Sequence, residues 1–182
     1  MLRERIDKSK IHIFSLFIML SLYHALHAHP NGSARVKYTI GPGIGGINDG
    51  VFTEINVSLG KIENRRLLGL SGYWISANQH KGGFYSGWND QITDAGLLFI
   101  YGNQSNGFSV HYGLGVGYLS VDRGWTPSYG KKQNADLGLP LHVFIYKKSE
   151  LPVGFGAHFF IHINSLRWLF GGGLNIYFTN IK

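Results

Sequence analysis

Four histidines, His111, His142, His158 and His162, together with Glu54, are the side chains of this 182-residue chain whose types invite chemistry. Imidazole and carboxylate can ligate a metal, relay a proton or act as general base. Their spacing narrows these roles. His158 and His162 are four apart, about 13 Å along an extended strand, which is too far for one metal ion. A shared site would need histidines from neighbouring strands at one height, so hydrogen-bonded interior residues are the expectation and no metal is assigned. Glu54, facing the same interior as Arg35 and Lys37, predicts an internal ion pair that holds the interior closed rather than catalysing a reaction. The chain has no cysteine, which removes disulfides, thiolate sites and thiol nucleophiles. With no phosphate-cradling loop or zinc-protease motif either, no cofactor is expected.

The elements that must carry these residues read as strands. From Ala34 onward apolar residues recur at every second position. Ala34, Val36, Tyr38 and Ile40 alternate with Arg35, Lys37 and Thr39, and Val51 to Leu59 alternates with Glu54, Asn56 and Ser58. Runs around Leu68 to Trp74 and Ala95 to Tyr101 are interrupted by Leu67, Ile75, Leu98 and Ile100. Four further runs, Phe108 to Tyr118, Leu137 to Ile145, Val153 to Ile161 and Trp168 to Phe178, complete eight strands. Short polar turns are expected near Ile62 to Arg65, Asn103 to Asn106 and Lys147 to Glu150. Longer connections are expected over Gly41 to Gly50, Ala77 to Thr93 and Asp122 to Ala135, with a short one at Asn164 to Ser165. This near-alternation is that of an up-and-down barrel with one plain end and one elaborated end.

Residues 1–28 read as a secretory signal peptide. Arg3, Arg5, Lys8 and Lys10 precede the apolar stretch Ile11 to Leu22, and Ala28 follows. That stretch is short of the ~20 residues a spanning helix needs. Residues 29–182 form the barrel domain. The formal charge of +7 falls to +5 without the leader, which holds four Lys/Arg and two Asp/Glu. The remaining cations are scattered, without the basic face of a nucleic-acid binder.

Composition then selects which face is wet. One face of each strand is bulky and almost free of charge. The other carries glycine, the four histidines, Glu54, Arg35, Lys37, Asn56 and Asn175. Glycine weakens strands and adds no solubility, so a solvated sheet rarely spends so many positions on it. A narrow eight-stranded lumen filled by side chains uses it to make room, and lipid accepts the bulky face. The expected fold is therefore an all-β, eight-stranded antiparallel transmembrane barrel. Tyr73, Trp74, Tyr118 and Trp168 would girdle one end, with Tyr101, Phe108 and Phe178 at the other. Its lumen would be too full to pass more than small ions.

The segments Gly113 to Leu119 and Gly171 to Phe178 resemble the Gly-aromatic strands of the small eight-stranded outer-membrane proteins of Gram-negative bacteria, the porin-like group that includes OmpA-like transmembrane barrels. That resemblance implies an outer-membrane location with both termini periplasmic. It also implies contact with outer-membrane lipid and lipopolysaccharide, delivery by the barrel-assembly machinery, and no nucleic-acid partner. Thr179 to Lys182 follow Phe178, whereas many such barrels end on an aromatic residue. Loop aromatics Phe84, Tyr85, Trp88, Trp125 and Tyr129 would suit an extracellular surface ligand. The expected role is non-enzymatic, structural or surface-interacting. Two alternatives are a lipid A deacylase-like enzyme and a soluble secreted lipocalin-like barrel. The segment His162-Ile-Asn-Ser165 is near the deacylase group's His-x-Ser-Asn, but with Ser and Asn exchanged, and parity puts His162 inside.

Overall fold

The computed structural model describes residues 35–48, 50–63, 65–81, 88–105, 107–123, 132–147 and 152–180. The expected leader, Ala34 and the aromatics Phe84, Tyr85, Trp125 and Tyr129 lie outside these residues. Eight strands follow in chain order: β1 Arg35–Ile47, β2 Gly50–Glu63, β3 Arg66–Lys81, β4 Trp88–Gln104, β5 Phe108–Arg123, β6 Lys132–Lys147, β7 Val153–Asn164 and β8 Trp168–Thr179. Each pairs antiparallel with the next, and β1 pairs with β8, closing the barrel. Closure leaves no sheet edge, so the backbone polar groups find partners within the wall.

Period-two patterning sets the register, because a one-residue slip would turn every side chain to the wrong face. Outward positions are apolar and open: Phe99, Leu114, Phe159 and Phe170 are each at least half exposed. Inward positions are closed off, including Glu54, Asn56, His111, His142, His158, His162 and Asn175. The greasy side chains thus radiate outward and the ionisable ones sit inside.

Several expectations are corrected. Gly41 to Gly50 is not a loop; β1 runs to Ile47 and turns directly into β2. Its glycines read as loop residues in sequence, yet they lie in a strand, and Gly45 lets β1 approach β8 closely. A Cβ on Gly45 would lie 2.3 Å from the Gly172 carbonyl oxygen and 2.5 Å from Gly173 Cα. The connection within Ala77 to Thr93 shrinks to residues 82–87, and that within Asp122 to Ala135 to residues 124–131, because β3 to β6 extend further than their apolar cores. Tyr73 is no girdle residue: it faces inward and is 4 % exposed.

The lumen is also less polar than composition suggested. Leu67, Ile75, Leu98 and Ile100, which broke the alternation, are all buried inside. They form one core with Phe52, Ile92, Leu119, Phe144, Phe160 and Leu169. Phe52 meets Phe160 edge-on with ring centroids 5.4 Å apart. Such contacts fill the lumen with apolar side chains, which is why β3 and β4 carry apolar residues on both faces.

Candidate functional site

The register brings the inward ionisable residues into two clusters. In the first, Glu54 on β2 and His158 on β7 meet through Glu54 Oε2 and His158 Nδ1. His158 Nε2 lies 2.9 Å from Nδ1 of His142 on β6. The His158 Nδ1–H is directed at the Glu54 carboxylate, His158 Nε2 and His142 Nδ1 share one proton between them, and His142 Nε2 has no partner among the described residues. Asn175 Nδ2 donates to Glu54 Oε1 at 3.4 Å. Phe144 stacks on the His158 ring with centroids 4.3 Å apart. All four polar side chains are almost fully enclosed.

In the second cluster Asp94 Oδ1 on β4 accepts two bonds of 2.8 Å, from the Tyr73 hydroxyl and from His162 Nδ1. The Tyr73 ring packs 4.3 Å from that of His142, bridging the clusters. Glycine makes this possible. A Cβ on Gly117 would meet the Tyr73 hydroxyl at 2.3 Å and His162 Cε1 at 2.9 Å. Gly138 similarly leaves space for His162, whose Nε2 would lie 2.5 Å from a Cβ there.

The expected Glu54 pairing with Lys37 is not formed; the Glu54 carboxylate bonds His158 instead. Lys37 pairs across β1 and β2 with Gly60, whereas Glu54 faces Gly43. Six residues of strand, roughly 20 Å, separate the two heights. Arg35 opens β1, and nothing is described of its side chain. His111 sits apart from both clusters, 3.2 Å from the Ser109 hydroxyl and edge-on to Tyr146. Trp88 begins β4 rather than a loop. Asp94 and Tyr73 were missed in sequence. Asp94 stands among the alternate residues of an otherwise apolar run, a charge on an inward face; Tyr73 gave no such signal, since its neighbour Trp74 is the outward aromatic.

This arrangement has the parts of acid–base chemistry. Carboxylate-held imidazoles with a bare Nε2 are used elsewhere as metal ligands or general bases. Here Nε2 of His142 and of His162 have no hydrogen-bond partner among the described residues, and the Tyr73 hydroxyl near His162 is bonded to Asp94. Among the described residues no group of three His, Cys, Asp or Glu is placed to hold a metal ion. Ser165, the other member of the deacylase-like segment, points away to the rim of β6, where its hydroxyl donates to Asp136. Asn164 Oδ1 accepts from the backbone N–H of Leu166 and Arg167, each at 2.9 Å, folding the tight β7–β8 turn. What the two clusters do is tie β2, β4, β6 and β7 together across the lumen.

No protein-family model and no curated protein matches the chain. Solved structures do. Ail, the attachment invasion locus protein of Yersinia pestis, crystallised with the heparin analogue sucrose octasulfate, superposes with a TM-score of 0.59 at 10 % identity, covering 80 % of this chain and 99 % of its own. A major outer membrane protein from Thermus thermophilus gives 0.53 at 10 % identity, over 80 % of this chain and all of that one. Neisserial surface protein A gives 0.51 at 10 % identity, over 81 % and 98 %. The chain has the fold of the small eight-stranded outer-membrane barrels.

Proposed function

We propose that the protein is an integral outer-membrane barrel without enzymatic activity, serving envelope structure or surface interaction through its extracellular connections. The observation that supports this most is the inverted distribution of polarity. Leu114, Phe159, Phe170 and Leu174 face outward at half exposure or more, while Glu54, Asp94, His158 and His162 are sealed inside. A soluble lipocalin-like barrel needs the opposite arrangement. Residues 1–28 would be the export signal. The two longest connections, 82–87 and 124–131, lie at the end opposite both strand termini, which supports an extracellular placement for them and a periplasmic one for the end that holds 64–65 and 105–107. Outer-membrane lipid, lipopolysaccharide and the assembly machinery are the partners this reading requires. A surface ligand would be met by the connections that hold Phe84, Tyr85, Trp125 and Tyr129.

Membrane fractions of expressing cells washed with carbonate at high pH test the reading. The protein should stay in the pellet and, in SDS electrophoresis, run as a compact band unheated and a slower band after boiling. Recovery in the supernatant would overturn it. The non-enzymatic part rests on the separation of His162, bonded to Asp94 inside, from Ser165, bonded to Asp136 at the rim. A nucleophile and its base must share a hydrogen bond. Lipid A from expressing cells should therefore match that of cells without the protein. Lost acyl chains that reappear in the Ser165→Ala variant would make it an enzyme.

A further inference from the structure

On the outer surface, two adjoining features together make one site, and this inference rests on the membrane reading above. The first is a cleft of about 610 Å³ where β2 turns into β3, lined by Lys61, Glu63, Arg66, Leu68 and Tyr101. Lys61 Nζ lies 3.3 Å from Glu63 Oε2, and both side chains are 60 % exposed. Lys61 and Arg66 against Glu63 leave the cleft one net positive charge. The second is an apolar groove of about 590 Å³ that begins at Tyr101 and includes Phe99, Tyr112, Leu114, Phe159 and Phe170. Tyr101 lines both.

The register gives the groove a direction. Phe99 pairs with Leu114, Leu114 with Leu141, Leu141 with Ile161 and Ile161 with Phe170. Phe99 lies towards the Gln104 end of β4, near the cleft, whereas Phe170 lies beside Trp168 at the opposite end of β8. The row therefore climbs from the cleft's end of the barrel towards the other. Four steps of ~4.8 Å make about 19 Å. With strands tilted ~40°, the row rises on the order of 12 Å, most of one leaflet's share, about 15 Å, of a ~30 Å hydrocarbon core.

We infer that cleft and groove form a binding site for one anionic glycerophospholipid of the periplasmic leaflet. Its phosphate sits between Lys61 and Arg66, its glycerol region passes Tyr101, and one acyl chain lies along the ascending row. Charge complementarity selects the headgroup. A net negative lipid matches the cleft's net cation, whereas a choline headgroup brings its own fixed cation and offers no net charge. Each cation at a membrane surface contributes an attraction large enough for several-fold selectivity.

The test uses the refolded protein in nanodiscs of equal parts phosphatidylglycerol and phosphatidylcholine with identical acyl chains, followed by native mass spectrometry of the lipids retained. Phosphatidylglycerol should be retained over phosphatidylcholine by about fivefold. The pair Lys61→Glu with Arg66→Glu should abolish the preference. Leu114→Trp, which fills the groove and leaves the cleft intact, should reduce retention of both lipids. Equal retention by the native protein, or an undiminished preference after charge reversal, overturns the site. Unheated electrophoresis of each sample separates the two levels: a compact band without selectivity sinks the lipid site alone, while absence of any compact, membrane-inserted form sinks the barrel reading beneath it.

Discussion

His158 Nδ1 on β7 donates to the Glu54 carboxylate on β2, and around the wall these strands are separated by β1 and β8. The bond therefore crosses the lumen. Removing one member leaves the other buried with an unmet charge or donor, which costs roughly 3–5 kcal/mol, while replacing both with apolar groups of similar size costs far less. Glu54→Ala and His158→Ala should each lower the urea midpoint of the refolded barrel strongly. The double variant Glu54→Met/His158→Leu should recover most of the loss. If the double variant is as unstable as the sum of the singles, the pair is not the unit described.

Tyr73 shares the Asp94 acceptor with His162, so Tyr73→Phe removes one of two donors to a buried carboxylate. Hydrogen bonds to charged groups contribute about 1.5–3 kcal/mol. Unfolding monitored by tryptophan fluorescence should show a loss in that range. A change below a few tenths would mean that the hydroxyl is satisfied equally well without Asp94.

The outward face gives a test by sign. Leu114→Arg places a cation on the lipid side and should destabilise the barrel by roughly 2–4 kcal/mol in a bilayer. On a soluble barrel the same change at this half-exposed position would be close to neutral. Comparing unfolding in lipid vesicles with that of the native chain reads the difference directly.

Arg65, in the β2–β3 turn, has φ of 65°, the left-handed region. That conformation costs a side-chain-bearing residue about 1–2 kcal/mol. Arg65→Gly should be tolerated or slightly stabilising, whereas Arg65→Val should cost more than 1 kcal/mol by the same unfolding measurement.

Gly45 and Gly72 differ in a way that thermal or urea unfolding can resolve. A methyl group at Gly45 would collide with the β8 backbone at 2.3 Å, but at Gly72 it would find only Leu97 Cδ2 at 3.9 Å. Gly45→Ala should reduce the yield of compact barrel sharply, and Gly72→Ala should leave it unchanged or raise it.

The barrel was legible because alternation is a local property: β2, β5, β7 and β8 show it residue by residue, and the faces of Glu54, His111, His158 and Asn175 follow from parity alone. Pairing across the lumen was not, since which inward residues meet depends on register and on the offset at which β1 joins β8. Hence Glu54 was matched with Lys37, its neighbour in parity, instead of His158. Leu67, Ile75, Leu98 and Ile100 looked like defects in a membrane pattern, although an interior of finite width needs apolar packing as well as polar ties. Glycine misled for a related reason: Gly43 and Gly45 carry a loop's composition into a strand where Glu54 and the β8 backbone leave no room for a Cβ.

The β1–β8 seam joins the two ends of the chain, and Gly45 faces Gly173 there while Gly46 faces Gly172. The ladder skips Gly41 and Pro42, between the Ile40 and Gly43 pairs, and a proline has no N–H to contribute. Every other seam can zip from a hairpin, but this one must wait for the chain to come full circle, which makes it the most non-local contact in the molecule. The closing of the cylinder is therefore the fastening of a bare hem, where few side chains help the two borders find each other and an error in alignment would displace every tie across the lumen.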